Sequence, residues 1–234
     1  MTVIPEEVLG LKVEVVRSIR RTAALHIVGS DLQVRVPKDL GDDRVAAILQ
    51  QKRPWIRSKV AELQRIPPHK TKELVSGESF PYLGRNYRLK VQDGHQVGVC
   101  LSGGYLQATI RPSEQGDQRQ QRIKQYLDSW YRARAMERLT DKTDRYAKEI
   151  GVTPSGISVR NFKSRWGSCD SRGQLLFNWN IIKAPHAVAD YVVVHELCHL
   201  VHPNHSKDFW AFVERFDPAF RQHRDWLKQK KSNL

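Results

Sequence analysis

The chain has 234 residues, of which 40% are hydrophobic and 27% charged, so it can build a hydrophobic core but has no apolar run long enough to span a bilayer. Its net charge of +14 creates a positive field that attracts phosphate-bearing partners such as nucleic acid, although spread basic residues are also common on a solvated surface. Cys100, Cys169 and Cys198 form no C-x-x-C pair, and no secretory leader opens the sequence. We therefore expect a soluble cytoplasmic protein rather than a disulfide-stabilised secreted or membrane protein.

The first 110 residues are predicted to be mostly β-strand. Residues 11–37 show period-two alternation or short apolar runs separated by turns. From Asp42 to about Ile66 the apolar spacing becomes helical, with Pro54 kinking or dividing the helix and Pro67 and Pro68 ending it. Three more strand patterns follow up to Ile110, joined by D-G and S-G-G turns suited to hairpins. No internal repeat is visible.

A polar segment around Pro112 and Gly116 predicts the boundary between two domains, a β-rich N-terminal part of residues 1–112 and a second domain of residues 113–234. The second domain begins with one long helix from about Arg119 to Ile150, ended by Gly151. Two strands around the turn C-D-S-R-G come next, and one of them is a candidate edge strand that could accept an extended peptide. Trp166, Trp179 and Asn178 are candidates to line the cleft.

The stretch Tyr191–Trp210 contains four of the nine histidines. Apolar residues at helical spacing predict a helix from about Pro185 to about Val201. His195 and His199 are four residues apart, so their imidazoles lie on one face and can bind one metal ion. Glu196 lies beside that metal rather than on it, where it can act as a base toward a metal-bound water.

A third ligand is expected at the turn that follows. Pro203 disfavours helical geometry at His202, and Ser206 is a plausible cap for the next helix. His205, six residues beyond His199, can return over the first two histidines and leave a fourth tetrahedral position for water. His202 is the alternative third ligand if the helix continues by one turn. Three neutral imidazoles with an open position are typical of catalytic Zn²⁺, and zinc lowers the pKa of its bound water to about 7.

Three motifs together resemble the YgjP-like metallopeptidase family of bacteria: N-F-K-S-R-W-G-S-C-D at Asn161–Asp170, F-N-W-N at Phe177–Asn180, and the histidine stretch from His195. The resemblance implies that His195, His199 and His205 are zinc ligands and that Glu196 is the catalytic glutamate. The motif is also similar to Spartan and SprT-like proteases, to minigluzincins and to metzincins, but His202 stands where metzincins have glycine. The resemblance further implies an α+β fold, with a zincin-like helical catalytic unit and a small sheet preceded by the β-rich part.

The favoured hypothesis is a cytoplasmic zinc metallopeptidase that acts on protein or peptide substrates and is recruited by its charge to nucleic acid. One alternative is a metal-dependent nucleotide (UTP) pyrophosphatase, an activity that the family resemblance also implies. Another is a nucleic-acid-binding protein in which zinc only stabilises the fold. Neither the physiological substrate nor the oligomeric state follows from the sequence.

Overall fold

The structure, a computed structural model, describes residues 4–65, 72–162 and 164–230, so Ile66, Pro67, Pro68 and Lys163 of the predicted segments lie outside the described residues. The described residues form six α-helices and three small mixed sheets, which confirms the predicted α+β class. The chain divides into two compact units, Met1–Lys70 and Thr71–Leu234. Among the described helices, none combines the length and apolar character that crossing a bilayer requires.

The N-terminal unit, Met1–Lys70, is a four-stranded sheet with two helices. Its strands are β1 (Glu7–Val8), β2 (Leu11–Ser18), β3 (Ala24–Val28) and β4 (Asp31–Pro37), in the order β1-β2-β4-β3 with β2 and β4 parallel. The helices are α1 (Asp42–Gln51) and α2 (Arg53–Arg65). The predicted helical segment is therefore two pieces, and Pro54 lies in the first turn of α2, where its missing N–H costs no hydrogen bond.

The C-terminal unit, Thr71–Leu234, opens with a second four-stranded sheet. Its strands are β5 (Ser79–Tyr82), β6 (Arg85–Asp93), β7 (Gly98–Ser102) and β8 (Tyr105–Ile110), in the order β5-β6-β8-β7. Again the second and fourth strands are parallel and the outer pairs antiparallel. The two sheets thus repeat one topology, which went undetected in the sequence because most of the equivalent strand positions carry different side chains.

The first hairpin of each sheet has the same dipeptide, Leu-Gly, as its turn. Leu9 and Gly10 have φ of 54° and 79°, and Leu83 and Gly84 have φ of 48° and 81°. Two successive positive φ values are the requirement of a two-residue type I′ hairpin turn, which matches the twist of the flanking strands. Leucine adopts this conformation at a cost of about 1 kcal/mol, so the turn geometry is imposed by strand pairing rather than by local preference.

The rest of the C-terminal unit carries the histidines. Its elements are α3 (Gly116–Ile150), β9 (Gly156–Arg160), β10 (Gly167–Cys169), β11 (Gln174–Asn178), a 3-10 helix (Trp179–Lys183), α4 (His186–Cys198), α5 (Lys207–Phe216) and α6 (Phe220–Lys230). These strands form a sheet in the order β10-β11-β9, with β9 and β11 parallel and β10 antiparallel to β11. The pair of strands predicted here is therefore three strands, and β10 lies at an edge.

The long helix α3 connects the sheet of β5–β8 to the histidine helix. It ends at Gly151, which adopts the left-handed conformation with φ of 81°, and it packs against α4. The Tyr131 hydroxyl on α3 donates a 2.7 Å hydrogen bond to the Pro81 carbonyl of β5. Leu89 and Ile110 of the sheet share one buried core with residues of α3 and α4. The structure therefore divides at residue 70, whereas the sequence placed the boundary at residue 112, because the second sheet packs with the helices that follow it.

Candidate metal centre

Helix α4 is buried on nearly every side, and two of the three candidate metal ligands lie at its C-terminal end. Val192, Val193, Val194 and Leu197 are buried, so the helix is held by packing around the chemistry-bearing positions. The helix is shorter than predicted, since it begins after Pro185 and ends at Cys198. Residues 200 and 201 continue it as a tighter turn, with the backbone N–H groups bonding to carbonyls three residues earlier.

Three imidazoles converge at the end of α4. The ring nitrogens of His195, His199 and His205 lie within 4.8 Å of one another. The Nε2 atoms of His195 and His205 are 3.0 Å apart, and the ring centroids of His199 and His205 are 4.7 Å apart. Two imidazole nitrogens bound tetrahedrally at about 2.1 Å from one zinc ion would be separated by about 3.4 Å. The spacing of the donors therefore fits a single metal ion.

The protonation of His199 is determined by its backbone partner. Its Nδ1 lies 3.2 Å from the carbonyl oxygen of His202, which can only accept a hydrogen bond, so Nδ1 carries the proton. The Nε2 lone pair is consequently free to bind a metal, as in sites where a backbone carbonyl orients a histidine ligand. Burial lowers the pKa of His199 and lowers that of His195 to about 3, so both rings are neutral at physiological pH.

His202, the alternative third ligand, is not part of the cluster. Its ring packs edge-on against Phe212 with centroids 5.3 Å apart, while its carbonyl accepts from His199. The ring nitrogens that converge among the described residues are those of His195, His199 and His205. The structure thus brings together His195, His199 and His205, the three residues singled out from their spacing.

Helix α5 packs two aromatic side chains against the histidine cluster. The Ser206 hydroxyl accepts a 3.2 Å hydrogen bond from the Phe209 N–H, which confirms the predicted cap. The fully buried Phe209 ring stacks on His199 with centroids 4.6 Å apart, and Trp210 stacks on His205 at 5.5 Å. Two aromatic rings on successive positions of one helix therefore hold the orientation of two of the three imidazoles.

Glu196 is a carboxyl group strongly affected by this environment. Only 5% of its surface is exposed, and burial raises its pKa to about 8, against the lowering influence of the Arg165 guanidinium and a backbone hydrogen bond from Cys169. Such a carboxyl group gains and loses a proton near neutral pH. It lies in the walls of two adjoining cavities, together with His195 and Gly167.

Gly167, which the sequence analysis did not single out, is required by the position of Glu196. A Cβ atom at residue 167 would lie 2.5 Å from Glu196 Oε1 and 2.7 Å from its Cγ. Strand β10 therefore approaches the carboxylate more closely than any residue with a side chain allows. The signal that was available is the isolated glycine of W-G-S-C beside a predicted strand, since a glycine in a strand pattern indicates a bulge or a close approach of the backbone.

The segment before β10 is held in place by Asn178. Its amide nitrogen donates to the carbonyls of Phe162 and Arg165, at 3.0 and 3.3 Å, and its oxygen accepts from the Asn180 N–H. Asn178 is thus buried and positions the loop rather than lining the cleft. Trp179 is also buried in the core, whereas Trp166 does line a cavity beside the histidines.

An α+β unit that combines three converging imidazoles with a buried carboxylate has the donor set of a divalent-metal hydrolase. The model of the YgjP-like family, metallopeptidase domain, matches residues 21–230, so the chain belongs to the YgjP-like family. Membership implies a metal-dependent peptidase and a divalent metal. No curated protein matches the chain.

Two solved structures are similar to part of the chain, and both are metallopeptidase zymogens. Abylysin of Pyrococcus abyssi is 20% identical, with 39% of this chain and 93% of that chain covered and a TM-score of 0.37. Jannalysin of Methanocaldococcus jannaschii is 17% identical, with 39% of this chain and 95% of that chain covered and a TM-score of 0.36.

Proposed function

We propose that the chain is a zinc-dependent peptidase in which His195, His199 and His205 bind the metal and Glu196 is the general base. The observation that carries the proposal is the buried Glu196 carboxylate, which lies in the wall of the same cavity as all three imidazoles. Neutral imidazoles are borderline ligands that suit zinc, which is why we favour it over harder divalent ions. When bound, zinc would polarise the substrate carbonyl and make a water molecule more acidic.

Glu196 provides the proton chemistry. Its carboxylate accepts a proton from the water that attacks the peptide carbonyl, and it later donates that proton to the leaving amine nitrogen. Burial raises the pKa of Glu196 to about 8, which allows the same group to act as base and then as acid near neutral pH. The backbone of β10 holds this carboxyl group in place through the hydrogen bond from Cys169 and the close contact at Gly167.

Strand β10 favours an extended peptide as the substrate. Among the described strands β10 pairs only with β11, so its other edge has no strand partner. Gly167, Ser168 and Cys169 line a cavity of about 730 Å³ together with the three imidazoles. A peptide added to this edge as a further strand would gain backbone hydrogen bonds without sequence selection, with its scissile bond beside Glu196.

The proposed base is tested by comparing Glu196→Gln with wild type, both loaded with zinc. We expect the variant to retain one zinc per chain and to lose cleavage of a mixed peptide library by about 100-fold to 10,000-fold, the usual contribution of a general base. Glu214→Gln is a matched control, since Glu214 is a half-exposed glutamate on α5 that pairs with Arg221. Undiminished cleavage by Glu196→Gln would remove Glu196 as the base.

The same preparations distinguish the nucleotide alternative. Release of pyrophosphate from UTP that exceeds peptide cleavage, and that disappears in Glu196→Gln, would replace the peptidase proposal. The hypothesis that the protein is recruited to nucleic acid rests only on the net charge of +14. It predicts DNA binding that weakens steeply as the salt concentration rises. Cys100, Cys169 and Cys198 are all free, which supports a reducing cytoplasm as the location.

A further inference from the structure

A smaller cavity of about 270 Å³ adjoins the histidine cluster and faces α6. Trp166, Tyr191, Val192 and Leu227 provide apolar walls, and we call this cavity the cationic pocket because Arg165, Arg224 and Lys228 also line it. Gly167, His195 and Glu196 belong to the walls of both this cavity and the larger one along β10. A substrate whose scissile bond lies beside Glu196 can therefore place an adjoining group in the cationic pocket.

The charge of the pocket is not balanced by its own residues. Its lining contains three basic side chains and a single carboxylate, Glu196. Lys228 already forms a 2.8 Å ion pair with Asp225, which leaves the two arginines. Within the described ranges 4–65, 72–162 and 164–230, neither Arg165 nor Arg224 has a carboxylate at ion-pair distance.

Arg224 is the better placed of the two arginines. Its guanidinium carbon lies 4.9 Å from the centroid of Trp210, the ring that stacks on His205, so it is held against the site. Its Nε is buried and has no hydrogen-bond partner among the described residues. The positive charge of Arg224 also contributes to the lowered pKa of His195. Arg165 is more exposed, lies over the Phe162 ring and acts electrostatically on Glu196.

We propose that the cationic pocket is a specificity subsite that binds a carboxylate next to the scissile bond, with Arg224 as its principal partner and Arg165 assisting. The apolar walls accept the stem of a side chain, and the planar guanidinium suits the two oxygens of a carboxylate. That carboxylate can belong to an aspartate or glutamate side chain or to the free C-terminus of a peptide. The inference rests on the proposed peptidase function and names its substrate class.

A peptide library distinguishes these sources. Zinc-loaded wild type is incubated with proteome-derived peptides, as free acids and as C-terminal amides, and the cleaved bonds are read by mass spectrometry. If the carboxylate is a side chain, aspartate and glutamate should be enriched next to the cleaved bond by about tenfold to a hundredfold over asparagine and glutamine, in both peptide sets. If it is the C-terminus, cleavage should lie near the ends of the free acids and should disappear with the amides.

Variants of Arg224 connect either preference to the pocket. Arg224→Met should abolish the preference, and Arg224→Glu should also remove the discrimination against lysine and arginine, since two carboxylates would then face the two remaining basic side chains. Arg221→Met is the matched control, because Arg221 is an exposed arginine on the same helix and does not line the pocket. If Arg224→Met does not fold, as judged by its melting temperature, Arg165→Met should weaken the same preference.

The outcomes separate this inference from the proposed function. Cleavage by wild type that depends on Glu196 but ignores carboxylates in both peptide sets would overturn the subsite alone. A preference that persists in both Arg224→Met and Arg165→Met would also overturn it. If wild-type protein cleaves no peptide at all, the peptidase proposal itself fails. Product inhibition measures binding to the subsite directly. A short peptide that begins with glutamate, or that ends in a free carboxylate, should inhibit about tenfold more strongly than the same peptide with glutamine or with a C-terminal amide.

Discussion

Gly167→Ala is the substitution that most directly tests how β10 positions the general base. Alanine is normally the better residue inside a strand, because glycine loses more conformational entropy on folding, by roughly 0.5–1 kcal/mol. Here the added Cβ would lie 2.5 Å from Glu196 Oε1, 2.7 Å from Cγ and 2.8 Å from Cδ. Since ordinary contacts of this kind begin near about 3.4 Å, one side must move by almost 1 Å.

The movement falls on the carboxylate. Glu196 is only 5% exposed and belongs to a helix buried on nearly every side, so it cannot turn toward solvent without leaving its pocket. Displacement also breaks the backbone hydrogen bond from Cys169. Misplacing a catalytic group by 1 Å costs about 100-fold in rate. We therefore expect Gly167→Ala to lower kcat/KM by about 100-fold.

The assay combines peptide cleavage, zinc content and unfolding in urea. Zinc should remain at one per chain, since the three atoms nearest to a Cβ at residue 167 all belong to Glu196. Gly156→Ala is the matched control in β9, the opposite edge strand of the same sheet, because the atoms nearest to its Cβ would belong to the flexible end of the Gln174 side chain. Wild-type kcat/KM in Gly167→Ala would refute the view that β10 holds the carboxylate by close contact.

Three further predictions address the metal and the core. His205→Ala should lose bound zinc, while His202→Ala should retain it, as measured by elemental analysis; retention of zinc by His205→Ala would exclude it as the third ligand. Removing the metal with a chelator should stop cleavage and leave the helical circular dichroism intact, since the core packs without the histidines; unfolding would instead support a structural zinc. Phe209→Ala should lower the free energy of unfolding by about 3–5 kcal/mol in urea titrations, because Phe209 is fully buried; a loss below about 1 kcal/mol would contradict its assigned packing.

The histidine cluster was predictable from the sequence because the signal is local. His195 and His199 share a helical face at a spacing of four, and Pro203 predicts the break that lets His205 return. The long helix ending at Gly151 and the Ser206 cap were predictable for the same reason, since a left-handed glycine and a capping hydroxyl act within one turn. These features depend on backbone geometry over a few residues.

The approach of β10 to Glu196 and the gathering of Arg165 and Arg224 into one pocket depend on contacts between residues far apart in the chain. So does the packing of the second sheet with α3, which places the division of the chain at residue 70. Hydrophobic burial is non-directional, and many partners satisfy the same apolar pattern. The sequence alone therefore determined which residues could bind a metal and act as a base. Only the tertiary structure decided that glycine must face the carboxylate and that two arginines, without a carboxylate partner in the part of the chain that the structure describes, lie beside it.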